Sequence, residues 1–139
     1  MEKIVESFIE AEYDQSINAV VSQWLTPPTS EEFRVGMNHL ITMLQNSPTG
    51  TLLTDTTNLG AINEENQVWS YTEWLENARA AGYDTLVLIM PSDIFAQMSV
   101  EDIMEQANAA TKNQVVNQYF DNETDARAWI MQRAEEVSQ

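Results

Sequence analysis

Thr85-Leu86-Val87-Leu88-Ile89-Met90 is the stretch of the chain that decides the fold. It is apolar without alternation, a pattern typical of a strand that is covered on both faces, as in a parallel sheet. A helix is predicted before it, from Glu64 to Ala81, because apolar residues recur there at helical spacing and Gly82 follows. A second helix is predicted after it, with Ser99 as its N-cap. A buried strand between two helices indicates an α/β fold.

The rest of the chain repeats this alternation of strands and helices. Thr29 and Glu32 match a capping box, which predicts the start of a helix, and Asp121 or Asn122 is expected to cap the last one. We predict further strands at residues 4–12, 17–25, 51–54 and 115–120, with the first two forming a hairpin that Pro27-Pro28 ends.

The predicted order of elements is β-β-α-β-α-β-α-β-α, in a single domain that spans residues 1–139. Helical crossovers between successive strands imply a mostly parallel five-stranded sheet, to which the first strand is added antiparallel. In that first strand Val5, Ile9 and Ala11 are expected to share one face. In the helix from Glu64, the residues expected to face inward are Val68, Tyr71, Leu75 and Ala78.

The composition excludes several classes of function. The chain has 139 residues with 22 acids against 6 bases, a net charge of −16. Binding to nucleic acid or to anionic lipid surfaces requires clustered cations, so we expect neither. There is no cysteine, which excludes disulfides and thiolate chemistry. The longest apolar run is too short to cross a membrane, and residues 1–6 carry acids where a signal peptide is apolar, so we expect a cytoplasmic protein.

Three segments carry a resemblance to a known group of proteins: Leu52 to Gly60, Ile94 to Glu101, and Tyr119-Phe120-Asp121 leading to Ala126 to Ile130. With them, the chain resembles the SpoIIAA-like superfamily, which includes STAS domains and lipid-binding CRAL-TRIO domains. It is most similar to small stand-alone bacterial STAS-like proteins, most of them uncharacterised. The resemblance implies a SpoIIAA-like fold. It does not imply phospho-switching, because the chain lacks the Asp-Ser-Ser/Thr-Gly phosphoacceptor motif. Thr57 stands where the group often has arginine, so an anion contact at that position is not implied either.

Two of the predicted parallel strands are each followed by a short segment that could form part of a binding site. Asp55, Asn58 and Gly60 follow the first, and the segment from Ser92 to Met98 follows the second. Because the carboxyl ends of parallel strands lie at one edge of a sheet, we expect the two segments to meet. Phe95 and Met98 could form an apolar wall, and the polar anchors could be Asn58, Ser92 and Gln97.

Each of these segments also has a purely structural interpretation. Asp55 and Asn58 could hold a tight turn in which Gly60 supplies a positive φ. The segment from Ser92 could be a helical turn that closes the edge of the core, with Ser92 or Asp93 as its cap. Trp69 lies off the predicted inward stripe, so we expect it to be exposed as part of an interface.

No residue pattern predicts catalysis, a metal site or a cofactor. His39 is the only histidine and has no partner at metal-ligand spacing, and no phosphate-binding loop occurs. We therefore expect a non-catalytic binding or regulatory module that recognises a partner protein or a small apolar ligand. The alternatives are an enzyme that uses the edge formed by Asp55, Asn58, Ser92 and Gln97, or a protein that self-associates, for example as a homodimer.

Overall fold

One six-stranded sheet organises the chain in the computed structural model, which describes residues 3–138. The strands lie in the sheet in their order along the chain; the first three pair antiparallel and the rest pair parallel. An α/β fold is therefore confirmed, whereas the prediction of five strands is wrong. Met1 and Glu2, part of the segment in which we expected no signal peptide, lie outside the described residues. The strands are β1 (Lys3–Val5), β2 (Ile9–Asp14), β3 (Ala19–Trp24), β4 (Thr51–Asp55), β5 (Thr85–Ile89) and β6 (Val116–Phe120).

The additional strand arises because the predicted strand 4–12 is broken in the middle. The chain reverses after Val5, with the Glu6 N–H donating to the Ile9 carbonyl at 2.9 Å, so β1 folds back on β2. Ile9 and Ala11 are buried as expected, but Val5 is exposed because the reversal breaks the alternation that linked them.

Within the described part of the chain, four helices cover the sheet. The first is α1 (Ser30–Gln45), and its predicted capping box is present: the Glu32 N–H donates to Thr29 Oγ1 at 3.1 Å, and the Thr29 N–H donates to Glu32 Oε1 at 2.9 Å. The second runs without a break through α2 (Glu64–Trp69), a π-helical segment (Ser70–Trp74) and α3 (Leu75–Ala80). The others are α4 (Ile94–Thr111) and α5 (Glu123–Ser138). Across residues 3–138, none is long and apolar enough to cross a membrane.

The π-helical segment changes which face of the second helix is buried. A π-helical turn adds one residue to the repeat, so the stripe set by Leu75 and Ala78 is displaced by one position before the segment. Trp69 is consequently buried, and Val68 is exposed. Our predictions for these two residues are wrong because both assumed an uninterrupted α-helix.

The helices divide unevenly between the two faces of the sheet. Residues of α1 to α4 build the larger core on one face, and α5 packs on the other through Ala126 and Ile130, against Leu53 and Val87. Leu88 of β5 is buried in the larger core, as its position in the apolar run predicts.

Candidate functional site

The two predicted segments meet at the carboxyl edge of the parallel strands. The N–H of Thr56, just after β4, donates to the carbonyl of Ile89 at 3.1 Å, and its hydroxyl donates to the same carbonyl at 2.6 Å. Farther along, the Ser92 hydroxyl donates to the Thr57 carbonyl at 3.2 Å. The expected juxtaposition of the segments is therefore confirmed, and backbone carbonyls take most of the hydrogen bonds that hold it.

The first segment has the geometry of a tight turn. Asp55 Oδ1 accepts hydrogen bonds from the N–H of Thr57 at 2.9 Å and from its hydroxyl at 2.6 Å. Gly60 has a φ of +78°, and a Cβ there would lie 3.1 Å from Cβ of Pro27. A side chain at this position would therefore be both strained and crowded. Asn58 is exposed to solvent. These observations agree with the structural interpretation of the loop.

The second segment contains the start of a helix rather than a loop before one. Asp93 is the N-cap of α4, with its carboxylate accepting from the N–H of Ala96 at 2.9 Å, and Gln97 donates to the Pro91 carbonyl at 2.8 Å. Ser99, predicted to be the cap, instead lies inside the helix and is buried. Its hydroxyl accepts from the N–H of Ile62 at 3.1 Å. The helix starts earlier because Asp93, one of the two caps that the structural interpretation of this segment offered, is the residue that caps it.

The first turn of α4 exposes three apolar side chains. Ile94 is 64% exposed, Phe95 68% and Met98 55%. We call these three residues the apolar patch. Phe95 and Met98 therefore face solvent at the edge where we expected them to wall a pocket.

Trp69, which we expected to mark an interface, belongs to the interior. Its ring packs edge-on against Phe33 with centroids 6.2 Å apart, and the guanidinium of Arg34 lies 5.0 Å from its centroid. His39 is half-buried. No group of acidic or histidine side chains that could hold a metal ion occurs within residues 3–138.

A cavity of about 90 Å³ lies inside the larger core, between the sheet and the helices α1 to α4. Of its lining residues, Leu75 and Leu88 are predicted from the sequence to be buried, whereas Leu59 and Ile62 lie outside the predicted helices and strands. No periodic pattern signals that the core leaves a space there. The lining is almost wholly apolar, and only Met37, Ile62 and Ile103 among its members are half-buried. The apolar lining residues are Trp24, Phe33, Met37, Leu40, Leu52, Leu59, Ile62, Trp74, Leu75, Leu86, Leu88, Val100, Ile103, Met104 and Ala107.

One side of this cavity is formed where α1 packs closely against β3 and against the π-helical segment. Trp24 lies against Gly36 of α1, where a Cβ would come within 2.7 Å of its ring, so only glycine allows this approach without a shift. The Trp74 indole N–H donates to the Met37 carbonyl at 2.8 Å, which ties the π-helical segment to α1. Its ring meets Tyr83 edge-on, with centroids 5.4 Å apart.

Polar groups are few in the lining, and none is charged at neutral pH. They are Thr54, Thr56, Ser70 and Tyr83, and no lining residue is an acid, a lysine, an arginine or a histidine. Burial raises the pKa of Tyr83 far above its ordinary value, so its phenol stays protonated. The interior is therefore suited to a neutral molecule, because an unpaired charge would lose its hydration there without compensation.

No protein-family model, no curated protein and no solved structure matches the chain. The resemblance to the SpoIIAA-like superfamily stays a prediction.

Proposed function

We propose that the chain is a cytoplasmic, non-catalytic binding protein that takes one small, neutral, apolar molecule into the cavity between its sheet and helices. The observation that carries this proposal is the cavity itself, about 90 Å³ of space walled by apolar side chains. Protein cores are normally packed with few voids larger than a water molecule. A space of this size represents lost packing contacts, which an apolar ligand would restore. We also propose that the α/β fold is of the SpoIIAA-like type, as the sequence resemblance implies.

The size of the cavity limits the ligand to about one small ring or a short branched chain. An apolar cavity of roughly 150 Å³ is known to hold benzene, and this one is smaller. However, the lining includes Met37 and Met104, and their unbranched side chains can change rotamer and enlarge the space. Benzene is therefore a suitable first probe, and naphthalene exceeds the available space.

The enzyme alternative has weaker support. At the carboxyl edge, the polar groups of Asp55, Ser92 and Gln97 are hydrogen-bonded within the two segments themselves. A nucleophile requires a neighbouring base, and no such pair is formed by the four residues considered for this role. The cavity lining contains no acid or histidine that could act as a general base.

Titration with benzene, followed by methyl NMR of the methionine, leucine and isoleucine side chains, tests the proposal. We expect saturable shifts at Met37, Met104 and Leu88, with little effect from naphthalene or from benzoate, which is charged. The proposal fails if benzene produces no saturable shift, or if its shifts occur only at the apolar patch.

A second candidate function is docking of a positively charged amphipathic helix on the apolar patch. The exposed side chains of Ile94, Phe95 and Met98 are followed on later turns of α4 by the exposed acids Glu101 and Asp102. The sequence contains no lysine or arginine between Arg79 and Lys112. A surface with an apolar patch and negative charge beside it is complementary to a helix that carries leucine on one face and lysine at the borders of that face.

A labelled leucine–lysine helical peptide of about 15 residues tests this docking. We expect the double variant Phe95→Ser/Met98→Ser to weaken peptide binding by about tenfold, because the apolar contact is lost while the charge is kept. Val35→Ser, which changes an exposed valine of α1, is the control and should bind as the unchanged protein does. Equal binding by the patch variant would mean that charge alone attracts the peptide. If the unchanged protein is a dimer and the double variant is a monomer, the patch instead binds a second copy of the chain.

A further inference from the structure

We propose that Thr54 makes the cavity selective for a ligand that carries one neutral hydroxyl or carbonyl group on an otherwise apolar body. Thr54 Oγ1 would hydrogen-bond that group, while the surrounding side chains contact the apolar remainder. This inference rests on the proposed function, since it concerns the ligand of the same cavity.

The evidence is a buried hydroxyl that has no partner. Thr54 is 6% exposed and lines the cavity, and within the described part of the chain its Oγ1 makes no hydrogen bond. A buried polar group without a partner is unfavourable, and most such groups in folded proteins are paired. A ligand with a matching group would complete the pairing.

The position of Thr54 in the sheet accounts for the missing partner. It lies on β4, level with Ser22 of β3 and with Leu88 of β5. Ser22 gives its own proton to the carbonyl of Leu53, at 3.3 Å, and Leu88 has no polar side chain to offer.

The other two aliphatic hydroxyls of the lining are already committed. Thr56 donates to the Ile89 carbonyl at 2.6 Å, and Ser70 donates to the Asn66 carbonyl at 2.8 Å. Each can still accept a hydrogen bond, but neither has a free proton to give. Thr54 can both donate and accept, so it suits a carbonyl as well as a hydroxyl.

The lining also limits what the ligand can be. Without a charged side chain in the wall, a carboxylate or an ammonium group would be desolvated and unpaired. A ligand with several polar groups would leave most of them without partners among apolar side chains. The class that fits is therefore a small phenol, alcohol or ketone, with one polar group at the end that faces β4.

Phenol and toluene, which differ by a hydroxyl in place of a methyl group, form the test pair. We measure the affinity of each by NMR titration for the unchanged protein, for Thr54→Val and for Thr85→Val. The ratio of phenol to toluene affinity should fall by about tenfold in Thr54→Val, as expected for the loss of one buried hydrogen bond. It should stay unchanged in Thr85→Val, the matched control, because Thr85 is a buried threonine of β5 that does not line the cavity.

Thermal unfolding without ligand gives a second readout. Thr54→Val should raise the melting temperature, because it removes an unpaired buried hydroxyl and keeps the shape of the side chain. Thr85→Val should lower it, because it removes the hydrogen bonds that the Thr85 hydroxyl makes with Asp84 and Arg133.

The outcomes separate this inference from the proposed function. If neither phenol nor toluene binds, the proposed function fails. If both bind and Thr54→Val leaves their ratio unchanged, the cavity binds ligands but Thr54 is not the anchor, and the inference is overturned. If the melting temperature of Thr54→Val falls, Thr54 already has a partner, such as a trapped water, and the inference is overturned as well.

Discussion

Replacing Leu88 with alanine should lower the free energy of unfolding by roughly 2–5 kcal/mol, the range typical of buried leucines. Leu88 is only 5% exposed and lies on β5, level with Thr54 of β4. The removed atoms lose their burial, and the parallel ladders on both sides of β5 prevent the sheet from closing the gap. The expected cost therefore includes both the lost transfer free energy and that of the enlarged cavity.

Urea melts of the unchanged protein and of Leu88→Ala measure this cost. Val68→Ala is the control, because Val68 is an exposed apolar residue and its truncation should change stability by less than about 0.5 kcal/mol. A loss for Leu88→Ala as small as that of the control would mean that this part of the core can collapse. Because Leu88 also lines the cavity, its truncation should admit naphthalene, which the unchanged protein excludes.

The local signals in the sequence predicted much of the fold. The capping box of Thr29 and Glu32 marks the start of α1, and the apolar run that contains Leu88 marks a buried strand. Such signals succeed because one or two neighbouring residues supply the interaction. The short strand β1 was not predicted as a separate strand. The reversal after Val5 depends on backbone pairing, and the sequence there contains no glycine or proline that would predict a turn.

The π-helical segment and the cavity depend on contacts between distant parts of the chain. Trp69 is buried because Phe33 and Arg34 of α1 pack against it, and helical periodicity alone assigned it to the surface. The cavity arises where side chains from the sheet and helices fail to fill the space between them. That shortfall is a property of three-dimensional packing, so a sequence pattern can identify core residues such as Leu88 without revealing the gap.

The candidate site illustrates the same limit. The juxtaposition of the Asp55 loop and the Ser92 segment could be predicted, because it follows from the direction of parallel strands. The roles of the side chains could not. Phe95 and Met98 face solvent because Asp93 starts α4 earlier than expected, which sets the orientation of the first turn. Thr54 was predicted as the end of a strand and as part of the Leu52 to Gly60 segment, and neither prediction shows whether its hydroxyl has a partner.

Filling the cavity should separate ligand binding from folding. Ala107 is buried on α4 and lines the cavity, so Ala107→Leu would place additional carbon atoms in the space that the ligand needs. We expect the affinity for benzene to fall by more than about tenfold, measured by the same methyl NMR titration. The free energy of unfolding should stay the same or rise by up to about 2 kcal/mol, because the new side chain restores packing contacts.

Ala109→Leu serves as the matched control, since it makes the same change at an exposed position of the same helix. It should leave benzene binding unchanged, which separates the effect of filling from that of an added leucine in α4. Undiminished benzene binding by a stably folded Ala107→Leu protein would place the ligand outside this cavity. A large loss of stability would mean that the space is too narrow for a leucine and that the core is already close to full. The combination expected here, lost binding with stability retained, is the result that a ligand-binding cavity predicts and a well-packed core does not.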